Sequence, residues 1–318
     1  MHEPALRAAA FGSGPLPGPA VARGSGRPRE RLLAAVVLGA QGRYAAAATL
    51  LDSLRRGRDP VTASLAASTL ASHRRQLGGH RRARALDGEA FAKVAHLATK
   101  PDPDGPEPKA ATPRPRTAAG REPVASSAEA AATGRDPDGL DAPGAQADAL
   151  LGLAADNLAL GRLTAARRLA ERAAAADHGW RATVRRGWVG AEIELAAGQG
   201  AAAVPHARLA FETARARGAR RHTVKSGIVL AVALSAAGDP DHRKISDELV
   251  GNAMATAEEC ELLSLSWPAA LVAADLRPGH AEEYRFRVAQ VLHAVLRSAD
   301  PCGRRVAGES PWVPVPGG

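Results

Sequence analysis

The sequence predicts an all-α protein of antiparallel helix hairpins, arranged as two blocks joined by a disordered Pro-rich linker. Three observations carry this expectation. Ala, the strongest helix former, fills roughly a quarter of the positions, whereas aromatic residues make up 3% of the 318, which disfavours a sheet. Apolar residues recur at helical spacing, as in Tyr44, Ala48, Leu51 and Leu54, or Tyr284, Val288, Val291, Leu292 and Val295. Short glycine-containing breaks, among them Gln41-Gly42-Arg43, Gly78-Gly79, Gly161-Arg162, Gly198-Gln199-Gly200 and Gly238-Asp239-Pro240, separate these stretches and imply tight turns between paired helices.

Taken in order, residues 1–28 mix Pro4, Pro15, Pro17, Pro19 and Pro28 with glycines and are expected to form a loose tail. Residues 29–99 form a first helical block. Nine prolines between Pro101 and Pro143 and a lack of large apolar residues make 100–146 a disordered linker. A second helical block occupies 147–299, in which the i, i+4, i+8 stripe of Trp180, Val184 and Trp188 reads as core and Trp267-Pro268 as a helix start. Residues 300–318 end in Ser310-Pro311-Trp312-Val313-Pro314-Val315-Pro316, an extended Pro-rich tail from which Trp312 is expected to dock as a cap.

Measured from Gly42, Gly78, Gly161, Gly198 and Gly238, the residue seven earlier is Ala35, Ala71, Ala154, Ala191 and Ala231. Five residues after the same glycines stand Ala47, Ala83, Ala166, Ala203 and then Arg243, so a small residue recurs in both helices of four hairpins and lets them approach closely. With Gly42-Arg43-Tyr44-Ala45-Ala46-Ala47 and Gly161-Arg162-Leu163-Thr164-Ala165-Ala166, this register resembles the tetratricopeptide repeat. The large aromatic of that family falls on Arg31, Ala67, Leu150, Gly187 and Gly227, and marker spacings of 36, 37 and 40 exceed its usual period, so the repeat is divergent. The resemblance implies an α-solenoid whose first helices line a concave groove. The groove positions would include Arg29, Ser68, Ser72, Arg75, Arg185, Trp188, Glu192 and Lys225.

Charge adds a second signal. The 42 basic residues against 33 acidic give +9, and 37 of the 42 are Arg, a bias that composition drift also produces. The stretch from Arg27 to Lys100 holds 14 basic and 5 acidic residues, while Pro101 to Ala149 holds 5 and 9. Basic patches stand at Arg74 and Arg75 with Arg81, Arg82 and Arg84, and at Arg217, Arg220, Arg221 and Lys225; solvated faces and cations at helix C-termini would give the same pattern.

Motifs for chemistry are missing from the pattern. Thr223 and Val224 stand where a phosphate-cradling loop ending in Lys225-Ser226 would need glycine, and the ten histidines show no metal-ligand spacing. The pairs Glu192/Glu194, Glu258/Glu259 and Glu282/Glu283 are adjacent or two apart and so diverge on a helix. Cys260 and Cys302 form no Cys-x-x-Cys pair, and no base is oriented against either Cys260 or Ser72. No leader or membrane anchor is expected, and a reducing cytoplasm fits the cysteine usage.

These readings point to a non-catalytic protein-interaction scaffold, without cofactor or metal, that binds an extended acidic partner segment or its terminal carboxylate in a basic groove. A nucleic-acid-binding regulator using the basic first block is the alternative, although Tyr44 and Phe91 are the only aromatics there for stacking.

Overall fold

A computed structural model describes residues 2–18, 26–98 and 135–314. Among them are fourteen α-helices and no strand: α1 (Glu3–Phe11), α2 (Pro28–Ala40), α3 (Tyr44–Arg55), α4 (Pro60–Gln76), α5 (His80–Val94), α6 (Ala142–Ala159), α7 (Leu163–Ala176), α8 (Trp180–Ala196), α9 (Gly200–Ala216), α10 (Arg220–Ala236), α11 (Pro240–Glu259), α12 (Leu263–Leu276), α13 (Ala281–Arg297) and α14 (Pro301–Gly308).

Each of α1 to α13 that adjoins a described neighbour packs against it. In addition α2, α4, α6, α8, α10 and α12 each pack against the next-but-one helix, so these six form an inner layer and the odd-numbered helices from α3 to α13 an outer one. The succession returns to its start. Helix α12 meets α2, the Ala45 N–H donates to the Ser298 carbonyl at 2.8 Å, and Tyr44 shares an apolar cluster with Val288, Leu292 and Val295 of α13.

The alanine register explains why the layers close up. Ala35, Ala71, Ala154, Ala191 and Ala231 on inner helices, and Ala47, Ala83, Ala166 and Ala203 on outer ones, are all fully buried, while Arg243, where the pattern lapses, is exposed. A methyl at the contact brings two helix axes to the short end of the usual 8–10 Å separation. The turns share one design as well. In six turns the last residue donates to a carbonyl five positions back, Arg43 to Leu38, Gly79 to Arg74, Arg162 to Asn157, Gln199 to Glu194, Ala219 to Ala214 and Leu262 to Ala257. That bond forms only when the residue before the donor is left-handed, and Gly42, Gly78, Gly161, Gly198 and Gly218 have φ between 66° and 75°. The α11–α12 turn places Glu261 there, at φ 51°. Helices also start alike, with Asp59, Asp141, Asp239 and Asp300 capping backbone N–H groups just ahead of Pro60, Pro143, Pro240 and Pro301.

Several sequence expectations are corrected here. Within 1–28, residues 3–11 form α1 instead of a loose tail: Pro4 sits in the first turn, where its missing N–H is harmless, and Leu6, Ala9, Ala10 and Phe11 are buried on one face. Of the linker 100–146, residues through 134 lie outside the described residues. The remainder is structured, Leu140 is buried, and α6 begins at Ala142. The two blocks are not separate, because α6 packs on both α4 and α5. In the segment 300–318, Asp300 caps α14 over Pro301–Gly308, and Val313, at 6% exposure, docks where Trp312 was expected; Trp312 is 65% exposed. Helix α12 starts at Leu263, four residues ahead of Trp267, since its turn lacks the glycine that would mark it.

No helix among the described residues is long and apolar enough to cross a membrane.

Candidate functional site

The inner layer surrounds a recess of about 90 Å³. Helix α4 contributes Ser68, Thr69, Ser72, His73 and Gln76, α6 contributes Asp148, α8 Arg181, Arg185 and Trp188, and α10 Arg221, His222 and Lys225. Phe11, Leu140 and the buried Leu32 and Leu33 of α2 complete the lining.

An aromatic cluster forms one wall. The Trp188 indole stacks on His222 with ring centroids 5.6 Å apart, Trp180 meets His222 edge-on at 5.0 Å, and Phe11 lies 6.5 Å from Trp180. Both indoles are satisfied: Trp188 Nε1 donates to Ser226 Oγ at 2.7 Å, and Trp180 Nε1 to the Pro137 carbonyl and Asp138 at 3.1 Å. The stripe of Trp180, Val184 and Trp188 is buried as core, and Trp188 also lines the recess.

The electrostatics are lopsided. Four cations line the recess, Arg181, Arg185, Arg221 and Lys225, against a single carboxylate, Asp148. Asp148 accepts from Arg181 at 2.6 Å and also pairs with Arg185. Arg221 and Lys225 have no ion pair among the described residues; Lys225 Nζ instead sits 4.3 Å from the Trp188 ring centroid. Burial, reinforced by Arg185, Arg75 and Arg221 and opposed by Glu192, pushes the Lys225 ammonium down to about 8. Burial and Arg185 lower the Arg221 guanidinium, and burial with Arg181 and Arg75 lowers Arg185. His73 is pushed down to about 3 by burial and then by Arg221 and Arg74, and His222 falls well below its ordinary range for the same reasons, so both rings are neutral. Arg221 Nε, His73 Nδ1 and His222 Nδ1 are buried without a hydrogen-bond partner among the described residues.

Of the groove residues expected from sequence, Ser68, Ser72, Arg185, Trp188 and Lys225 are brought together here. Arg29 is not: it pairs with Asp136 at 2.9 Å and donates to the Leu140 carbonyl, because residues 135–140 fold against the edge of α2. Arg75 also turns away, into an ion-pair cluster with Asp87 and Asp156 between α4, α5 and α6. The basic patches split similarly. Arg74 pairs with Asp300 at 2.7 Å, Arg217 with Asp138 at 3.3 Å, and Arg220 donates to the Ser13 and Gly14 carbonyls. Arg81, Arg82 and Arg84 are exposed on outer helix α5, and of the patch residues Arg221 and Lys225 line the recess.

Sequence reasoning missed Arg181, Asp148, His73 and His222 as neighbours in one cavity. The i, i+4 spacing of Arg181 with Arg185 and of Arg221 with Lys225, each a basic pair on an inner helix, is the signal that could have found them. No cluster of three or more candidate metal ligands occurs among the described residues. No protein-family model matches the sequence, and no curated protein matches it.

Proposed function

We propose that this chain is a non-catalytic recognition module, made of divergent tetratricopeptide-like hairpins that stack as an α-solenoid curved back on its own start, and that its inner wall binds an acidic partner segment. One observation carries the reading: Arg185, Arg221 and Lys225 converge on a recess with a shortage of counter-charge. Buried cations left under-compensated are costly to a fold, and a ligand carboxylate would supply the missing partner through charge-assisted hydrogen bonds. Trp188 adds a rigid apolar contact beside them. The absence of paired carboxylates or an oriented nucleophile in the sequence supports recognition over catalysis.

The test is direct binding of a Glu-rich synthetic peptide, with free or amidated C-terminus, by fluorescence anisotropy at two salt concentrations. Binding that weakens with salt and is lost in Arg221→Gln and Lys225→Met is expected. Equal affinity in wild type and both variants would overturn the reading.

The exposed Arg81, Arg82 and Arg84 favour a second reading, a nucleic-acid-binding regulator. Protection of an RNA or DNA sequence that is lost on neutralising these three, and unaffected by Arg221→Gln, would select it.

A further inference from the structure

The charge and size of the recess narrow what it accepts. Four cations face one carboxylate in the lining, which leaves it positive with both histidines neutral; from outside the lining Glu192 acts on Lys225, Asp87 on Arg185, and Asp138 and Asp177 on Arg181, while Arg75 adds positive charge. A volume of 90 Å³ compares with about 30 Å³ per water molecule in the liquid, room for a group of a few heavy atoms and well under the ~300 Å³ where drug-sized ligand pockets begin. The available donors are of the kind that serve oxyanions: the Arg221 guanidinium with its unpartnered Nε, the Lys225 ammonium, the Ser72 hydroxyl and the unpartnered ring nitrogens of His73 and His222.

We infer that the recess is a binding site for a phosphate-type dianion, held by Arg185, Arg221 and Lys225. This rests on the reading of the inner wall as a site for negative charge and specifies the group. A carboxylate brings one negative charge to this positive lining. A tetrahedral dianion brings two and presents oxygens to α4, α8 and α10 together. The group arrives either as free orthophosphate or as the phosphoryl end of a phosphorylated side chain, and the two arms of the experiment separate these sources.

Full-length chain is titrated with inorganic phosphate at pH 7 by calorimetry and by thermal melting, with acetate and sodium chloride at matched ionic strength as controls. A second arm uses a phosphoserine peptide and its unphosphorylated twin. Saturable heat and a rise in Tm with phosphate alone are expected, together with affinity roughly ten- to hundredfold weaker in Arg221→Gln and in Lys225→Met. Both variants are also expected to melt no lower than wild type without phosphate, because each removes an under-compensated buried charge; a purely structural cation would lower the melt. Tighter binding of the phosphopeptide than of orthophosphate assigns the group to a partner protein, and the reverse assigns it to free phosphate. The inference is overturned if phosphate gives no saturable response beyond the salt control, or the same response in both variants. If phosphate fails while the unphosphorylated acidic peptide still binds through Arg221 and Lys225, the dianion assignment falls and the proposed function stands.

Discussion

Arg75 on α4 and Arg221 on α10 both belong to the inner layer, and they differ in company. Arg75 is held by Asp87 and Asp156, two carboxylates with no solvent exposure, and donates as well to the Gly152 carbonyl; Ser68 Oγ and His80 complete the shells of the acids. Arg221 has no ion pair among the described residues, and burial and Arg185 lower its guanidinium against the phenol of Tyr44. One cluster ties α4, α5 and α6 into a wall. The other leaves the recess in need of negative charge. The same residue type, at similar depth, serves cohesion where acids surround it and, in the function proposed above, recognition where they do not.

The largest expected effect breaks that comparison if it fails. Arg75→Met strands Asp87 and Asp156 without a counter-ion and is expected to cost about 3–5 kcal/mol in urea unfolding. A loss as small as that of Arg221→Met would erase the distinction. Next, Gly152→Ala sets a Cβ 2.2 Å from Asp87 Oδ2 at the α5–α6 contact, and overpacking of this kind costs about 1–3 kcal/mol, read as a lower Tm.

The two clusters also respond to pH with opposite signs. Burial and Asp156 push the Asp87 carboxyl up to about 7 against the pull of Arg75, Ser68 and Arg185. The folded chain then holds a proton that the unfolded chain releases near pH 4, and stability falls as pH rises between those values. Lys225 runs the other way. Folded, with Glu192, Arg185, Arg75 and Arg221 acting on it, it loses its proton near pH 8, whereas unfolded it keeps it to roughly 10.4, so stability climbs as pH rises across that window. Urea melts at constant ionic strength, with Asp87→Asn flattening the acid limb and Lys225→Met the alkaline one, check both signs.

The smallest effects sharpen the frame around the clusters. Glu261→Gly relieves a left-handed residue and is expected to stabilise by about 1 kcal/mol in the same melts. Trp312→Ala is expected to fall within about 0.5 kcal/mol of wild type, while Val313→Ala is measurably worse.

Local order was legible because it repeats. Five alanines at a fixed offset from five glycines marked the faces where helices touch, and all five are buried. The Glu261 turn escaped notice because its backbone does what glycine does elsewhere without the residue that advertises it. Helix α1 was hidden by averaging: the prolines at 15, 17, 19 and 28 follow the amphipathic run of Leu6 to Phe11 and masked it in a window covering both. Part of the recess was readable from inner-helix positions, since Ser68, Ser72, Arg185, Trp188 and Lys225 all line it. Which cation would find an acid was not, because Asp156 reaches Arg75 across 81 positions and Asp136 reaches Arg29 across 107, and ion pairing across that span leaves no periodic trace.

The meeting of α12 and α13 with α2 and α3 bears on how the polypeptide is made. Tyr44 and Ala45 wait for partners some 250 positions further on, so a nascent chain leaving the ribosome exposes the unfinished side of its first hairpin until the α13 segment has emerged. Such distant partners slow folding, and they make that bare face the natural place for a chaperone to hold the chain, or for one unfinished molecule to borrow the closing hairpin of another.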